Sequence, residues 1–178
     1  MTGPAIEMEG LTKRYGETVA VSDLTTTVAE GSVYGFLGPN GAGKTTTMRL
    51  LTTLTRPTSG TARVAGHSIE DREAVTPQIG YLPEDPPIYD ELTGREQLEY
   101  AAGIRDLPTA ESSERIEELL ERFDLADDAG KRIEGYSKGM RQKVGVIQAV
   151  LHDPAVVFLD EPTSGLDPRA ARTMRETI

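Results

Sequence analysis

The chain has no cysteine and no tryptophan, and the lack of cysteine excludes a disulfide framework, a thiolate metal site and a cysteine nucleophile. Long hydrophobic runs are missing as well. The longest mostly apolar stretch, Val144–Leu151, falls far short of the ~20 residues that cross a bilayer. The opening MTGPAIEMEG has neither the basic region nor the apolar core of a secretory signal. These absences predict a soluble, intracellular protein. Lysine is scarce, with 5 against 14 arginines, and 29 acidic side chains outnumber 19 basic ones. A net charge of −10 repels phosphate backbones, so nonspecific nucleic-acid binding is not expected. An acidic, lysine-poor surface suits a high-salt cytoplasm, where screening weakens self-repulsion; an ordinary acidic protein from an arginine-rich proteome accounts for it equally well. With 178 residues, 37% of them hydrophobic, the chain can build the core of one domain with room for one insertion.

Residues 18–28 are rich in β-branched side chains and read as strand around a turn at Asp23. Val33–Leu37 is a short apolar run that predicts a strand, followed by a glycine-rich loop and a helix over Lys44–Leu54. Thr61–Ala65 and Ile79–Leu82 predict further short strands, with a weak helix near Glu70–Val75. The prolines of Pro83-Glu84-Asp85-Pro86-Pro87 interrupt any regular element. Thr93 and Glu96 then form a capping box that opens a helix to about Gly103. A second helix over Thr109–Phe123 places Ile116, Leu119, Leu120 and Phe123 on one face. Met140, Val144, Ile147 and Leu151 mark another amphipathic helix, closed by His152-Asp153-Pro154. Ala155–Leu159 suits a strand buried on both faces of a parallel sheet, and a last helix begins near 168. The expected fold is α/β. It has a P-loop NTPase core, 1–82 and 137–178, with N-terminal antiparallel strands and an inserted α-helical subdomain at 83–136.

Two stretches carry chemistry. Gly38-Pro39-Asn40-Gly41-Ala42-Gly43-Lys44-Thr45 fits G-x-x-x-x-G-K-[ST], the phosphate-cradling P-loop. Its glycines let backbone N–H groups converge, and the helix that follows adds its positive end. Lys44 can reach the β- and γ-phosphates and the Thr45 hydroxyl can ligate Mg²⁺. Val156–Leu159 then delivers Asp160 and Glu161 to the end of a strand, where ligands of α/β sheets sit. Asp160 is expected to hold Mg²⁺ through water and Glu161 to polarise the attacking water. A pair of solvated acids is the plainer alternative.

With these pieces in place the chain resembles the ATP-binding cassette (ABC) ATPases. In motif style it is most similar to the ATPase subunits of multidrug or natural-product exporters. Tyr136-Ser137-Lys138-Gly139-Met140 stands at the signature position, Ser164-Gly165-Leu166-Asp167 resembles the D-loop, and Ile79–Glu84 occupies the Q-loop position. Tyr15 sits where the family stacks an aromatic ring on adenine. The resemblance implies an ATPase that couples ATP binding, dimer closure and hydrolysis to transport through an integral membrane permease subunit. It implies a head-to-tail homodimer, or a heterodimer with a related ATPase, around two ATP and Mg²⁺, on the inner face of the cell membrane. Implied nucleotide contacts are Tyr15, Gly38, Asn40, Gly41, Ala42, Gly43, Lys44, Thr45, Thr46, Glu84, Ser137, Gly139 and Asp167. Thr45, Asp160 and Glu84 are implied for the metal, and Lys44 and Glu161 for catalysis.

Several positions depart from the family pattern. Tyr136, Lys138 and Met140 replace Leu, Gly and Gln of the signature, while Ser137 and Gly139 are kept. Lys138 adds positive charge at that motif or is simply a solvated lysine. The Q-loop glutamine is Glu84, and Gln78 reads as a surface residue before the strand. No histidine follows Glu161 where the family has its switch histidine, so the resemblance implies a C-terminally shortened domain that hydrolyses ATP poorly. His67 reads as a loop residue and His152 as a partner for a helix C-terminus. Pro86, Pro87, Ile88 and Tyr89 occupy the family's contact with a transmembrane coupling helix; packing between subdomains explains the same apolar residues. Rival readings are a soluble ABC ATPase of DNA repair or translation, a non-catalytic ATP-binding module, and a P-loop small-molecule kinase.

Overall fold

The computed structural model describes residues 3–164, 166, 171 and 172. The chain divides into two compact units, one ending at Ile79 and the other starting at Gly80.

The first unit is built on a four-stranded sheet ordered β2-β1-β3-β4, from β1 (Ile6–Tyr15), β2 (Thr18–Val28), β3 (Ser59–Val64) and β4 (His67–Ser68). All its pairings are antiparallel. β1 alternates Ile6 and Met8 inward, and Leu11 continues that face beyond a register shift at Gly10, whose φ is +59. Asp23 is a bulge rather than a turn. Its φ is 46, its N–H donates to Thr12 Oγ1 at 2.9 Å, and β2 runs on unbroken. Against this sheet the unit buries Leu50 and Leu51 of α1 (Lys44–Leu51), each fully buried leucine contributing roughly 2 kcal/mol. The helix ends earlier than its periodicity predicts, with Thr52 as C-cap and Thr53 at φ 60, and Leu54 is exposed. A short α2 (Arg72–Val75), capped by Asp71, leads to β5. His67 is in β4, paired with Val64, rather than in a loop, and Gln78 is half-buried in a 3-10 turn.

One expected strand does not form. Val33–Leu37 forms no strand, and Val33 and Leu37 are fully exposed. Apolar, β-compatible residues favour an extended backbone, but a strand exists only where a neighbour takes its hydrogen bonds.

The second unit pairs β5 (Ile79–Leu82) with β6 (Val156–Leu159) and surrounds them with α3 (Gly94–Ile104), α4 (Thr109–Arg122) and α5 (Lys138–Val150). The capping box is present in both directions: Glu96 N–H donates to Thr93 Oγ1 at 3.2 Å, and Thr93 N–H to Glu96 Oε2 at 2.8 Å. Ile116, Leu119, Leu120 and Phe123 of the α4 region meet Leu98, Val144 and Ile147 in one core. α5 lies close against the end of β5 because Gly145 has no side chain; a Cβ there would come within 2.6 Å of Leu82 Cδ1. β6 is not buried on both faces. Phe158 is buried but Val157 is exposed, since β5 is the one strand paired with β6 among the described residues.

His152 lies just beyond α5, and its Nε2 meets Arg105 Nη1 at 3.0 Å; a guanidinium only donates, so the ring nitrogen accepts in this contact. Burial lowers the Arg105 pKa from its ordinary value.

Candidate nucleotide-binding site

In the first unit the loop from Gly38 turns through Gly41 at φ +83 and Gly43 at φ +88, conformations that favour glycine. Gly43 is doubly constrained, because an added Cβ would collide with the Ala20 carbonyl of β2. It is the N-cap of α1 and offers no side-chain cap, and the first turn holds no acidic residue. Thus the positive end of α1 is neither hydrogen-bonded by a cap nor neutralised, the arrangement that receives anions. Lys44 crosses back over the loop, its Nζ donating to the Gly38 carbonyl at 2.8 Å and the Pro39 carbonyl at 3.2 Å. Ala42 N–H closes a turn onto Pro39 O at 3.1 Å. Asn40, Ala42 and Thr45 are exposed and Thr46 half-buried, while Thr47 is buried with its hydroxyl on Gly43 O at 3.0 Å. Tyr15 belongs to the same unit, at the β1–β2 hairpin. Its half-exposed ring carries the Lys13 ammonium 4.9 Å from its centroid, and that ammonium donates to Arg56 O at 2.7 Å.

The other candidates lie in the second unit. Asp160 is 3% exposed at the end of β6, and its N–H donates to Leu82 O at 2.9 Å, pinning it to the end of β5. Glu84 lies two residues past that strand end, exposed. Glu161 is exposed and held at φ 48, a costly backbone for a side-chain-bearing residue, by a turn in which Ser164 N–H donates to its carbonyl at 2.9 Å. Asp160 and Glu84 carboxylates and the Thr45 hydroxyl are hard oxygen donors, the kind Mg²⁺ takes beside phosphate oxygens and water. Ser137 caps α5, its Oγ accepting from Met140 N–H at 3.2 Å. A Cβ on Gly139 would lie 3.7 Å from Leu166 Cδ2, so this helix start packs beside the turn after Glu161.

A family profile described as ABC transporter matches residues 21–164, which hold the loop, the capped serine and the acidic strand end. The chain belongs to the ABC transporter family. Among its ABC relatives, the daunorubicin resistance ATP-binding protein DrrA3 of Streptomyces coeruleorubidus is 43% identical over 100% of this chain and 57% of its own length. The bacitracin transport ATP-binding protein BcrA of Enterococcus faecalis is 40% identical over 97% of this chain and 56% of its own. The chain therefore spans a little over half the length of these curated relatives. A solved ATP-binding subunit of an ABC transporter superposes with a TM-score of 0.84 at 34% identity, covering 97% of this chain and 72% of that one. CbiO1 of Clostridium perfringens, at 24% identity, shares the fold with a TM-score of 0.87. The fold class expected from the sequence is thus that of the ABC ATPases, mixed α/β with an antiparallel sheet and helices.

Of the ABC motif positions, Gly165 and Asp167 lie outside the described residues. One feature of this ABC domain was not read from its sequence. Gln97, 1% exposed, holds the loop after β5: its Oε1 accepts from Tyr89 N–H at 2.9 Å and its Nε2 donates to Pro87 O at 3.3 Å. Beside that loop is a groove of about 240 Å³, lined by Pro83, Pro86, Tyr89, Tyr100, Ile104 and Arg105 among others. Tyr89 and Tyr100 meet edge to face at 5.4 Å, and their contact raises the Tyr100 pKa from its ordinary value. Burial of Gln97 has no local sequence signal, whereas Pro86, Pro87 and Tyr89 of the groove belong to the apolar patch that the sequence marks.

Proposed function

We propose that the protein is the ATP-binding and ATP-hydrolysing subunit of an ABC transporter, working with a separate membrane subunit in export. The observation that carries this is the Lys44 loop and the uncapped, acid-free start of α1. The resistance and transport names of the relatives favour this reading over DNA repair or translation. Among the described residues no helix is long and apolar enough to cross a membrane.

In this reading backbone N–H groups of Gly41, Ala42 and Gly43, with Lys44, Thr45 and Thr46, take the phosphates, and Gly38 and Asn40 shape the loop. Tyr15 offers its exposed ring to adenine. Thr45, Asp160 and Glu84 would hold Mg²⁺, which would screen phosphate charge. Glu161 accepts a hydrogen bond from the attacking water and orients it in line with the γ-phosphate, since phosphoryl transfer needs chiefly position and charge stabilisation. Ser137, Gly139 and Asp167 complete the site of an opposing protomer across a head-to-tail dimer. The segment 83–136 acts as the helical subdomain, and its groove receives the membrane subunit. Exposed Tyr89, Tyr100 and Ile104 supply apolar surface there, while Glu84, Asp85, Asp90 and Glu91 make the adjoining loop strongly acidic.

Mg-ATP binding to the protein, measured calorimetrically beside Lys44→Ala, tests the reading. Lys44-dependent binding is the expected result. Binding that survives Lys44→Ala unchanged, or none in folded protein, removes its basis.

A further inference from the structure

Tyr136 stands immediately before the α5 cap and is 7% exposed. Its hydroxyl donates to the Asp128 carbonyl at 2.7 Å. The same hydroxyl lies over the first residue of α3, where a Cβ on Gly94 would collide with it and come within 3.2 Å of Tyr136 Cζ. Burial, then the Asp128 charge, raises the phenol pKa from its ordinary value, so it remains a donor at neutral pH. The surrounding backbone fits this contact. Arg95 N–H donates to Ala129 O at 2.9 Å, Gly94 N–H to Lys131 O at 3.3 Å, and Ile133 N–H to Leu92 O at 2.9 Å. The segment leading to Ser137 is therefore laid along the start of α3. α3 in turn grips the Pro87–Tyr89 loop through Gln97 and lines the groove with Tyr100 and Ile104. A second, exposed tie joins the same parts, since Arg141 of α5 pairs with Asp90 at 2.5 Å.

We infer that Tyr136 is a positioning residue: its phenol, seated over Gly94, fixes the serine-bearing start of α5 to α3, so that the groove and Ser137 move as one body. This rests on the reading of Ser137 and the groove given above. The contact is a matched pair. A Cβ at 94 would collide with the hydroxyl, and the tyrosine ring carries that hydroxyl from the α5 cap to the Asp128 carbonyl. The expected consequence is that a push on the groove arrives at Ser137 undiminished, while loss of either partner lets the serine drift.

The test compares Tyr136→Phe, Gly94→Ala and the double variant. Hydrogen exchange is read at the Met140 and Arg141 amides, and ATP-driven dimerisation in a Glu161→Gln background. Each single change is expected to speed exchange at those amides about fivefold, the factor for one lost hydrogen bond. It is also expected to raise the ATP concentration for half-dimerisation about threefold or more at unchanged ATP affinity of the monomer. The double variant should lose clearly less than the sum of the two single changes, because the oxygen that the new Cβ would strike is gone and only the milder 3.2 Å approach to Cζ remains. A destabilisation with no local target would instead lower Tm with additive effects and without selective exchange at Met140. Exchange and dimerisation unchanged in Tyr136→Phe and Gly94→Ala, or additive losses in the double variant, would overturn the inference. A parent protein that binds ATP yet never dimerises sinks the reading of Ser137 instead, and the exchange data still decide the tie.

Discussion

Two helix starts in this protein are built in opposite ways. α3 begins with every local device for satisfying its first turn: Thr93 and Glu96 exchange hydrogen bonds, and Gly94 and Arg95 donate to 131 and 129. α1 begins at Gly43 with no side-chain cap and no acid in its first turn, although two further threonines follow Thr45 there. A start that only had to be stable would be finished like α3. The omission at α1 costs only about a few tenths of a kcal/mol, the difference between glycine and a hydroxyl side chain at an N-cap, and under the proposed function it leaves the end open to an anionic ligand.

That contrast can be broken most severely at Gly43. Gly43→Ala forces a Cβ into the Ala20 carbonyl from a left-handed backbone. ATP affinity is expected to fall about 100-fold or more, with stability lowered by about 2 kcal/mol, read by calorimetry and denaturant melts. Thr46→Glu makes α1 resemble α3. An acid in the first turn should stabilise the helix by about 0.5 kcal/mol while weakening ATP binding about tenfold, opposite signs from one substitution. If stability and affinity move together instead, the open end is not an anion site. Thr93→Ala removes the α3 cap, and about 1 kcal/mol of stability should go with no change in ATP affinity. The smallest effect is titration of Glu96. Hydrogen bonds from the Thr93 backbone and then its side chain lower its pKa from the ordinary 4.5, so its contribution is full at neutral pH and is lost as pH falls through the lowered value. In Glu96→Gln the acid limb of a Tm-against-pH curve should shallow slightly.

The same contrast explains what was legible in the sequence. The α3 capping box, the α4 face and the P-loop are local patterns, complete within a few residues, and the structure contains each of them. β1 escaped detection because the Ile6–Met8 alternation is broken at Gly10 and followed by charged Lys13 and Arg14. Val33–Leu37 misled in the other direction, since its residues suit a strand but strands are made by neighbours. For the candidate site, residue types could be read from the chain. The Lys44 bonds to Gly38 and Pro39, the Gln97 grip and the Tyr136–Gly94 seat could not, because each joins groups whose meeting depends on backbone geometry.

Lys44 itself sets a threshold for what the loop will accept. Its ammonium is already engaged by two carbonyl oxygens, so an incoming anion competes with neutral acceptors held at hydrogen-bonding distance. A polyphosphate wins that exchange with several charged oxygens at once, each accepting a stronger, charge-assisted bond. A chloride ion presents one diffuse charge and no array of oxygens, and gains little by displacing the carbonyls. Under the proposed function the loop thereby discriminates against chloride, and an acidic protein bathed in concentrated chloride would keep its phosphate cradle open to its nucleotide.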